Sequence, residues 1–386
     1  CQTHRPYNEM DETALSRSCL PAAPLKIRKR GAQLIEKITV IGGGATGHAA
    51  AAIYADKGFR VTLCDGERFA GRFKQIEANG GILLRGKVHA IGRIETATTD
   101  IEKAVAGAQL IAVHVMSPRH EEIARKIAPY LQDGQHILIV PGNLGAFIFR
   151  RVFDELHMTK KVTLTEQEGN LCPCRLTQDA EVTVGLPLRP KKIASLPACD
   201  TPRVIEALKG VWDFVPVKNV FEAAIHADNV VMHLATTVLS ATRIEAMRDN
   251  FILFQEGFTP VSIRCAGKIR EERLAIIEAM GFTEHSNPMD MFETIVNVKE
   301  NPQLDVFRTL SGPDSVTHRY LREDASCGGA FALSVARRLG LEAPVLEAFL
   351  KIAGVLCGED YIKDGRTLEN LGFPPEMTLA EIYKRI

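Results

Sequence analysis

From residue 37 the chain alternates short apolar runs with longer amphipathic ones. "KITVI" (37–41), "RVTLCD" (60–65), "AQLIAVHVMSP" (108–118) and "HILIVPGN" (136–143) are rich in Ile, Val and Leu and close in Gly, Pro, Asn or Asp. That length and composition predict buried β-strands. Between them lie segments of helical spacing, such as "HEEIARKIAPYLQD" (120–133). The alternation predicts the β-α-β rhythm of an open, mostly parallel sheet. Further β-like runs, "KKVTLTEQEGNLCPCRL" (160–176), "EVTVGLPLR" (181–189) and "KIASLPA" (192–198), are expected to extend that sheet. After about residue 200 the period turns to 3.6. "RVIEALKGVW" (203–212), "VFEAAIHADNVVMHLATTVLSATRIEAM" (220–247), "IREERLAIIEAMGF" (269–282) and "CGGAFALSVARRLGL" (327–341) each read as a helix. The fold class is therefore α/β followed by all-α. A sheet domain is expected over 37–200 and a helical domain over 201–386, with a ligand cleft between them.

The turn after "KITVI" sharpens the first half. Gly42, Gly44 and Gly47 form G-x-G-x-x-G between a strand and an Ala-rich helix, and a second strand follows. In that context the motif predicts a Rossmann dinucleotide site. Gly42 permits the tight turn, Gly44 lets the backbone approach a pyrophosphate, and Gly47 lets the helix pack on the strand. Gly43, Ala45 and Thr46 complete the loop, and the free N–H groups of the helix start face the phosphates. Asp65 closes the second strand, where a carboxylate accepts from the ribose hydroxyls and repels a 2′-phosphate. NAD(H) is thus the expected cofactor, with Arg68 and Arg72 leaving NADP(H) open. Ligands in such sheets sit beyond the strand C-termini, which places "MSPRH" (116–120), with Pro118, and "PGNLGA" (141–146) near the nicotinamide. Glu166 and Glu168 lie in a polar loop and either face the cleft or are solvated.

Composition excludes several classes. The 386 residues suit two domains, and Lys plus Arg balance Asp plus Glu, 47 against 47. That argues against a nucleic-acid surface. No apolar run approaches the roughly 20 residues that span a bilayer. Nine scattered cysteines argue against a disulfide framework, and Cys172-Pro-Cys174 is a C-x-C without a second pair, so no metal site is expected. Residues 1–36 hold no apolar stretch of a secretory signal and are expected to form a loosely held arm; a cytoplasmic protein is expected.

In the helical half, polar residues on apolar ground are the candidates for chemistry. His233 sits in "VVMHLATTVLSATR" (230–243), and "HRYLREDASCGG" (318–329) gathers Arg319, Arg322, Glu323 and Asp324. Histidine suits proton transfer because its pKa lies near neutrality. Arginine suits a carboxylate substrate because its planar fork grips two oxygens. By residue type alone, a satisfied core histidine is the commoner reading of His233.

Four stretches together resemble the opine dehydrogenase (octopine/nopaline dehydrogenase) family: "VIGGGATGHAAAA" (40–52), "NVVMH" (229–233), "HRYLREDAS" (318–326) and "GRTLENLGF" (365–373). The resemblance implies an NAD(P)H-dependent reductive condensation of an α-keto acid with the amino group of an amino acid. It also implies that the helical half is an all-α (6-phosphogluconate dehydrogenase C-terminal-like) domain. By position, His233 resembles the catalytic histidine, Asp324 its acidic partner, and Arg319 the arginine that grips the keto-acid carboxylate. Asn229, one helical turn before His233, is placed to bond substrate or nicotinamide. "VMSPRH" departs from the family pattern, so Arg119 and His120 are expected to bear on substrate preference; "EQEGNLCPCR" keeps a Glu-to-Arg span similar to the family's but carries two cysteines. Glycerol-3-phosphate dehydrogenases and ketopantoate reductases share the architecture but place a lysine on the helix that here carries His233. A dinucleotide-sensing protein without catalysis is the non-enzymatic alternative. A homodimer is compatible with the apolar helical half, though no stripe demands one.

Overall fold

The computed structural model describes residues 35–297 and 300–386. The arm expected over 1–36 lies, apart from Ile35 and Glu36, outside the described residues. Among the described residues, twelve strands form two sheets. In chain order they are β1 (Lys37–Ile41), β2 (Arg60–Cys64), β3 (Ile82–Gly86), β4 (Ala90–Gly92), β5 (Thr96–Thr98), β6 (Leu110–Val113), β7 (His136–Ile139), β8 (Thr163–Gln167), β9 (Cys174–Gln178), β10 (Glu181–Val184), β11 (Lys191–Leu196) and β12 (Phe214–Pro216).

The larger sheet has eight strands in the order β12-β11-β8-β7-β6-β1-β2-β5. All neighbours are parallel except β11 with β8. Strand order reverses between β1 and β6, the point where an open parallel sheet leaves a crevice at its C-terminal edge. β6 and β7 are buried along their whole length. A strand covered on both faces must be apolar throughout, which explains why these runs do not alternate.

Not every β-like run extends this sheet as expected. β9 and β10 leave it and pair with β3 and β4 in a second, four-stranded sheet. Helix α1 (Ala45–Asp56) lies between the two sheets, in contact with β1 and β2 on one side and β3, β4, β9 and β10 on the other. Its Ala49, Ala50, Ala51 and Ala52 are all fully buried. Small side chains are required there: a Cβ on Gly92 of β4 would stand 2.2 Å from the Ala52 Cα. The larger sheet also passes residue 200, because β12 pairs with β11 and the helix Thr201–Ala207 packs against both. Helical architecture proper begins at Val220–Ile225.

The segment 220–247 is three helices rather than one: Val220–Ile225, Asn229–Leu239 and Ala241–Met247. Arg273, 2% exposed on the helix Pro260–Ala279, donates to the Ala227 carbonyl (2.9 Å) and the Asp228 carboxylate (3.0 Å). A buried guanidinium needs such partners, and they are supplied by the break. Its effect is to start a helix at Asn229. That helix runs through the helical half, packed by Pro260–Ala279, Arg319–Asp324 and Pro344–Cys357. No described helix is long and apolar enough to cross a membrane.

Candidate active site

A cavity of about 550 Å³ opens where the C-terminal edge of the larger sheet meets the helical half. One end is the dinucleotide loop. Gly42 has φ +133°, and its carbonyl would lie 1.7 Å from a Cβ on Gly47, so both positions demand glycine. A Cβ on Gly44 would meet nothing within 4 Å; it faces open space with Ala45 and Thr46 at the cavity wall. Gly44 caps α1 with no side-chain hydrogen bond, so the first N–H groups remain available to an anion. The loop fits a pyrophosphate. Gly43 does not line the cavity; its N–H donates to Asp65 (2.8 Å).

Asp65 does line the cavity, but its oxygens are already engaged. It accepts from Gly43 N–H and Gly66 N–H, both at 2.8 Å, and forms a two-pronged ion pair with Arg119 at 3.0 and 3.3 Å. Burial raises its pKa, yet Arg119 and the two N–H groups outweigh that and hold it below the usual carboxylate range. Arg68 stands beside it at the cavity wall, over the Phe69 ring. The carboxylate expected to repel a 2′-phosphate is therefore neutralised by its neighbour.

The other end carries the titratable groups. Asn229 and His233 project four residues apart from one helix and both line the cavity. His233 Nδ1 lies 2.7 Å from Asp324 Oδ2, with both side chains buried. The Tyr320 ring stacks on the imidazole at 3.8 Å between centroids. An ionised Asp324 assigns the proton to Nδ1, which leaves Nε2 as the basic atom. Burial pulls the His233 pKa below 6.5; Asp324 raises it, and Arg319 and Arg175 lower it again. The backbone widens into a π-helical turn, Ala325–Gly329, directly after Asp324, a deviation common at functional sites.

Arg319 lines the same cavity and donates to Glu323 at 2.9 Å. Burial opposes its charge, and the carboxylate more than offsets this. Glu323, 1% exposed, also accepts from Ser117 N–H and Ser117 Oγ–H, each at 2.7 Å. Arg366 reaches the same region, donating to the Ser117 carbonyl at 2.7 Å and to the Asn143 carbonyl. Together Glu323 and Arg366 tie the helical half to the loops after β6 and β7. Glu166 supports the second loop from below, accepting from Leu144 N–H and Ala146 N–H at 2.8 Å each. Asn143 and Leu144 have φ of +48° and +64°, so this loop needs such anchoring.

Several expected residues lie elsewhere. His120 is fully buried beneath Gly145 and beside Phe149, with Nδ1 3.3 Å from Arg366, so it is a packing residue and not a cavity group. Pro118 is exposed in the turn Ser117–Arg119 and does not line the cavity. Glu166 is shielded under the loop, whereas Glu168 reaches the wall and bonds His285 at 2.9 Å. Arg322 points away to Glu359. Sequence reasoning passed over Arg175, Tyr320 and Arg366. All three sit in stretches already singled out, but nothing in spacing tells which member of a polar run turns inward.

Comparison with known proteins adds the lineage. Residues 216–357 match the family model "NAD/NADP octopine/nopaline dehydrogenase, alpha-helical domain". Residues 37–142 match "NAD-dependent glycerol-3-phosphate dehydrogenase N-terminus". An opine dehydrogenase of Arthrobacter sp. (strain 1C) is 33% identical over 347 residues, covering 86% of this chain and 94% of the relative. Vitopine synthase of Allorhizobium ampelinum (strain ATCC BAA-846 / DSM 112012 / S4) is 22% identical over 78% of this chain and 84% of its own. Among solved structures, octopine dehydrogenase with NADH and L-arginine superposes with a TM-score of 0.61 at 18% identity, covering 90% of this chain and 97% of that one. NADP+-bound yersinopine dehydrogenase gives 0.59 at 13% identity, covering 91% and 98%. The glycine loop, the helical half and the level of identity agree, and this chain belongs to the opine dehydrogenase family of NAD(P)-dependent oxidoreductases.

Proposed function

We propose that the protein condenses an α-keto acid with the amino group of an amino acid and reduces the product to a secondary amine dicarboxylate. The observation that carries this reading is the His233–Asp324 pair at 2.7 Å, set beside Arg319 in the cavity that the dinucleotide loop opens into. Arg319 holds the keto-acid carboxylate, with Glu323 fixing its fork. Neutral His233 takes at Nε2 the proton that the substrate ammonium sheds, and the free amine adds to the keto carbon. An N–H proton passes to the alkoxide oxygen to give the carbinolamine, and His233 returns its proton to that hydroxyl, which leaves as water and gives the iminium C=N. Asp324 keeps the Nδ1–H tautomer and stabilises the imidazolium formed in between. Asn229, one turn away on the same helix, bonds the substrate or the carboxamide of the cofactor. A bound nicotinamide supplies the hydride that reduces the resulting C=N bond. NADH is the preferred donor, and the Arg119–Asp65 pair leaves NADPH admissible.

The test is NADH oxidation followed at 340 nm with pyruvate and a mixture of L-amino acids, each component omitted in turn. Consumption is expected only when both are present. Consumption with keto acid alone makes the protein a 2-oxo acid reductase, and binding of NADH without any consumption favours a sensing protein.

A further inference from the structure

The cavity holds a second guanidinium. Arg175 begins just beyond the Cys172-Pro-Cys174 turn, in β9, and its half-buried side chain lines the cavity. Three hydrogen bonds fix it: Nε to the Ser311 carbonyl (2.7 Å), Nη1 to the Cys174 carbonyl (3.0 Å) and Nη2 to the Tyr320 hydroxyl (2.7 Å). All three partners are uncharged oxygens, and among the described residues no carboxylate pairs with Arg175. Arg319 differs, since Glu323 already offsets its charge. A cation without a counter-ion in a partly desolvated cavity is a site for an anion.

Tyr320 fixes the relation between the two cations. Arg319 lies 5.4 Å and Arg175 6.0 Å from the centroid of its ring, which also stacks on His233. Both guanidinium groups therefore lie around the one aromatic ring that stacks on His233. Their surroundings differ. Arg319 is tied through Glu323 to Ser117, on the dinucleotide side. Arg175 is tied to Ser311 and faces the end walled by Leu186, Phe254, Phe307 and Leu310. A carbonyl carbon that accepts hydride belongs near Arg319. The amine donor belongs at the other end, and a secondary amine dicarboxylate carries one carboxylate on each side of its nitrogen.

We infer that Arg175 binds the carboxylate of the amine substrate, so that the site selects α-amino acids over simple amines. This rests on the condensing reaction proposed above. A planar fork with fixed orientation recognises a carboxylate in two places, and an amine lacking that group leaves the cation unpaired. The four apolar side chains at that end then receive the substituent on the α-carbon.

The test compares the wild type with Arg175→Met and Arg175→Lys. L-leucine is set against isopentylamine, and L-arginine against agmatine, with pyruvate and NADH. In Arg175→Met, KM for the amino acid is expected to rise about 10- to 100-fold with KM for pyruvate little changed. The preference for amino acid over its decarboxylated amine is expected to collapse, and Arg175→Lys to recover part of it. A rise in pyruvate KM with amino-acid KM unchanged overturns the assignment, as does an intact preference in Arg175→Met. Calorimetric binding of the two amino acids to the NADH complex gives a readout without turnover. If the wild type binds them, Arg175→Met does not, and neither enzyme turns over, the anion site stands and the condensing reaction fails. Melting temperature and NADH affinity equal to wild type establish that the variants are folded; loss of amino-acid binding only in a variant that has also lost both overturns the assignment, because Arg175 is then a structural residue.

Discussion

At the scale of single residues the proposed chemistry turns on one imidazole and what surrounds it. His233 is neutral at its working pH because burial removes water from the charged form, and Asp324 recovers part of that cost. In the proposed reaction the working form is the base, so kcat/KM is expected to hold through pH 6.5 and fall on the acid side as Nε2 takes a proton. Asp324→Asn removes both the tautomer control and the influence that raises the pKa. It is expected to lower kcat by about 100- to 10,000-fold with NADH affinity unchanged, and to move the acid limb lower still. A rate-against-pH profile of the two proteins checks both parts. An acid limb above 6.5, or one that moves up in the variant, contradicts this account of His233. The pairing of His233 with Asp324 was legible only through the family pattern. They lie 91 positions apart, and by residue type alone a core histidine was the commoner reading. His120 shows the opposite failure: a histidine in the turn expected near the nicotinamide is buried under Gly145 in space.

At the scale of elements, the period of apolar positions predicted the parallel sheet and the helical half, because those periods record which faces are covered. It did not separate the two sheets. β3, β4, β9 and β10 are short, and a strand's pattern does not name its partner. Nor did it break the segment 220–247, since Arg273, the residue that stabilises the break, comes from another helix. Contacts between elements likewise modify the cofactor site. The turn after β6 sends Arg119 across to Asp65 at the end of β2, the strand on the other side of β1. A like charge would repel a 2′-phosphate; a paired one does so weakly. Arg119→Gln frees the Asp65 carboxylate and is expected to raise the ratio of NADH to NADPH kcat/KM by about 10-fold or more. A ratio that stays level or falls shows that Asp65 is not the group that reads the ribose.

At the scale of the whole molecule, two halves meet over a cavity and are held by buried polar ties, Glu323 to Ser117 and Arg366 to the loops after β6 and β7. Burial of histidine is a second global feature. His48, His114, His120, His136, His226, His233 and His318 are all held below 6.5, with burial the main cause in each. The unfolded chain binds protons near 6.5, but the native protein does so only lower, at about 4 for His48 and about 3 for His114 and His318. Their contribution is complete above 6.5 and is lost as pH falls toward the folded values. Glu166, pushed up to about 7 by burial, acts the other way: its contribution is present below 4.5 and lost as pH rises through 7. Asp228 is also raised by burial and acts the same way as Glu166; seven histidines against these two carboxyls predict that Tm falls by about 5 °C or more between pH 7.5 and 5. A Tm that is level or rises on acidification, by calorimetry, counts against that balance. In the proposed reaction, hydride reaches a carbon already bonded to nitrogen. The most direct measurement is mass spectrometry of the product formed from NADH deuterated at the transferred position, pyruvate and an L-amino acid. One secondary amine dicarboxylate bearing a single deuterium on the carbon that was the keto carbon is expected. Deuterated lactate, with the amino acid recovered unchanged, would contradict it.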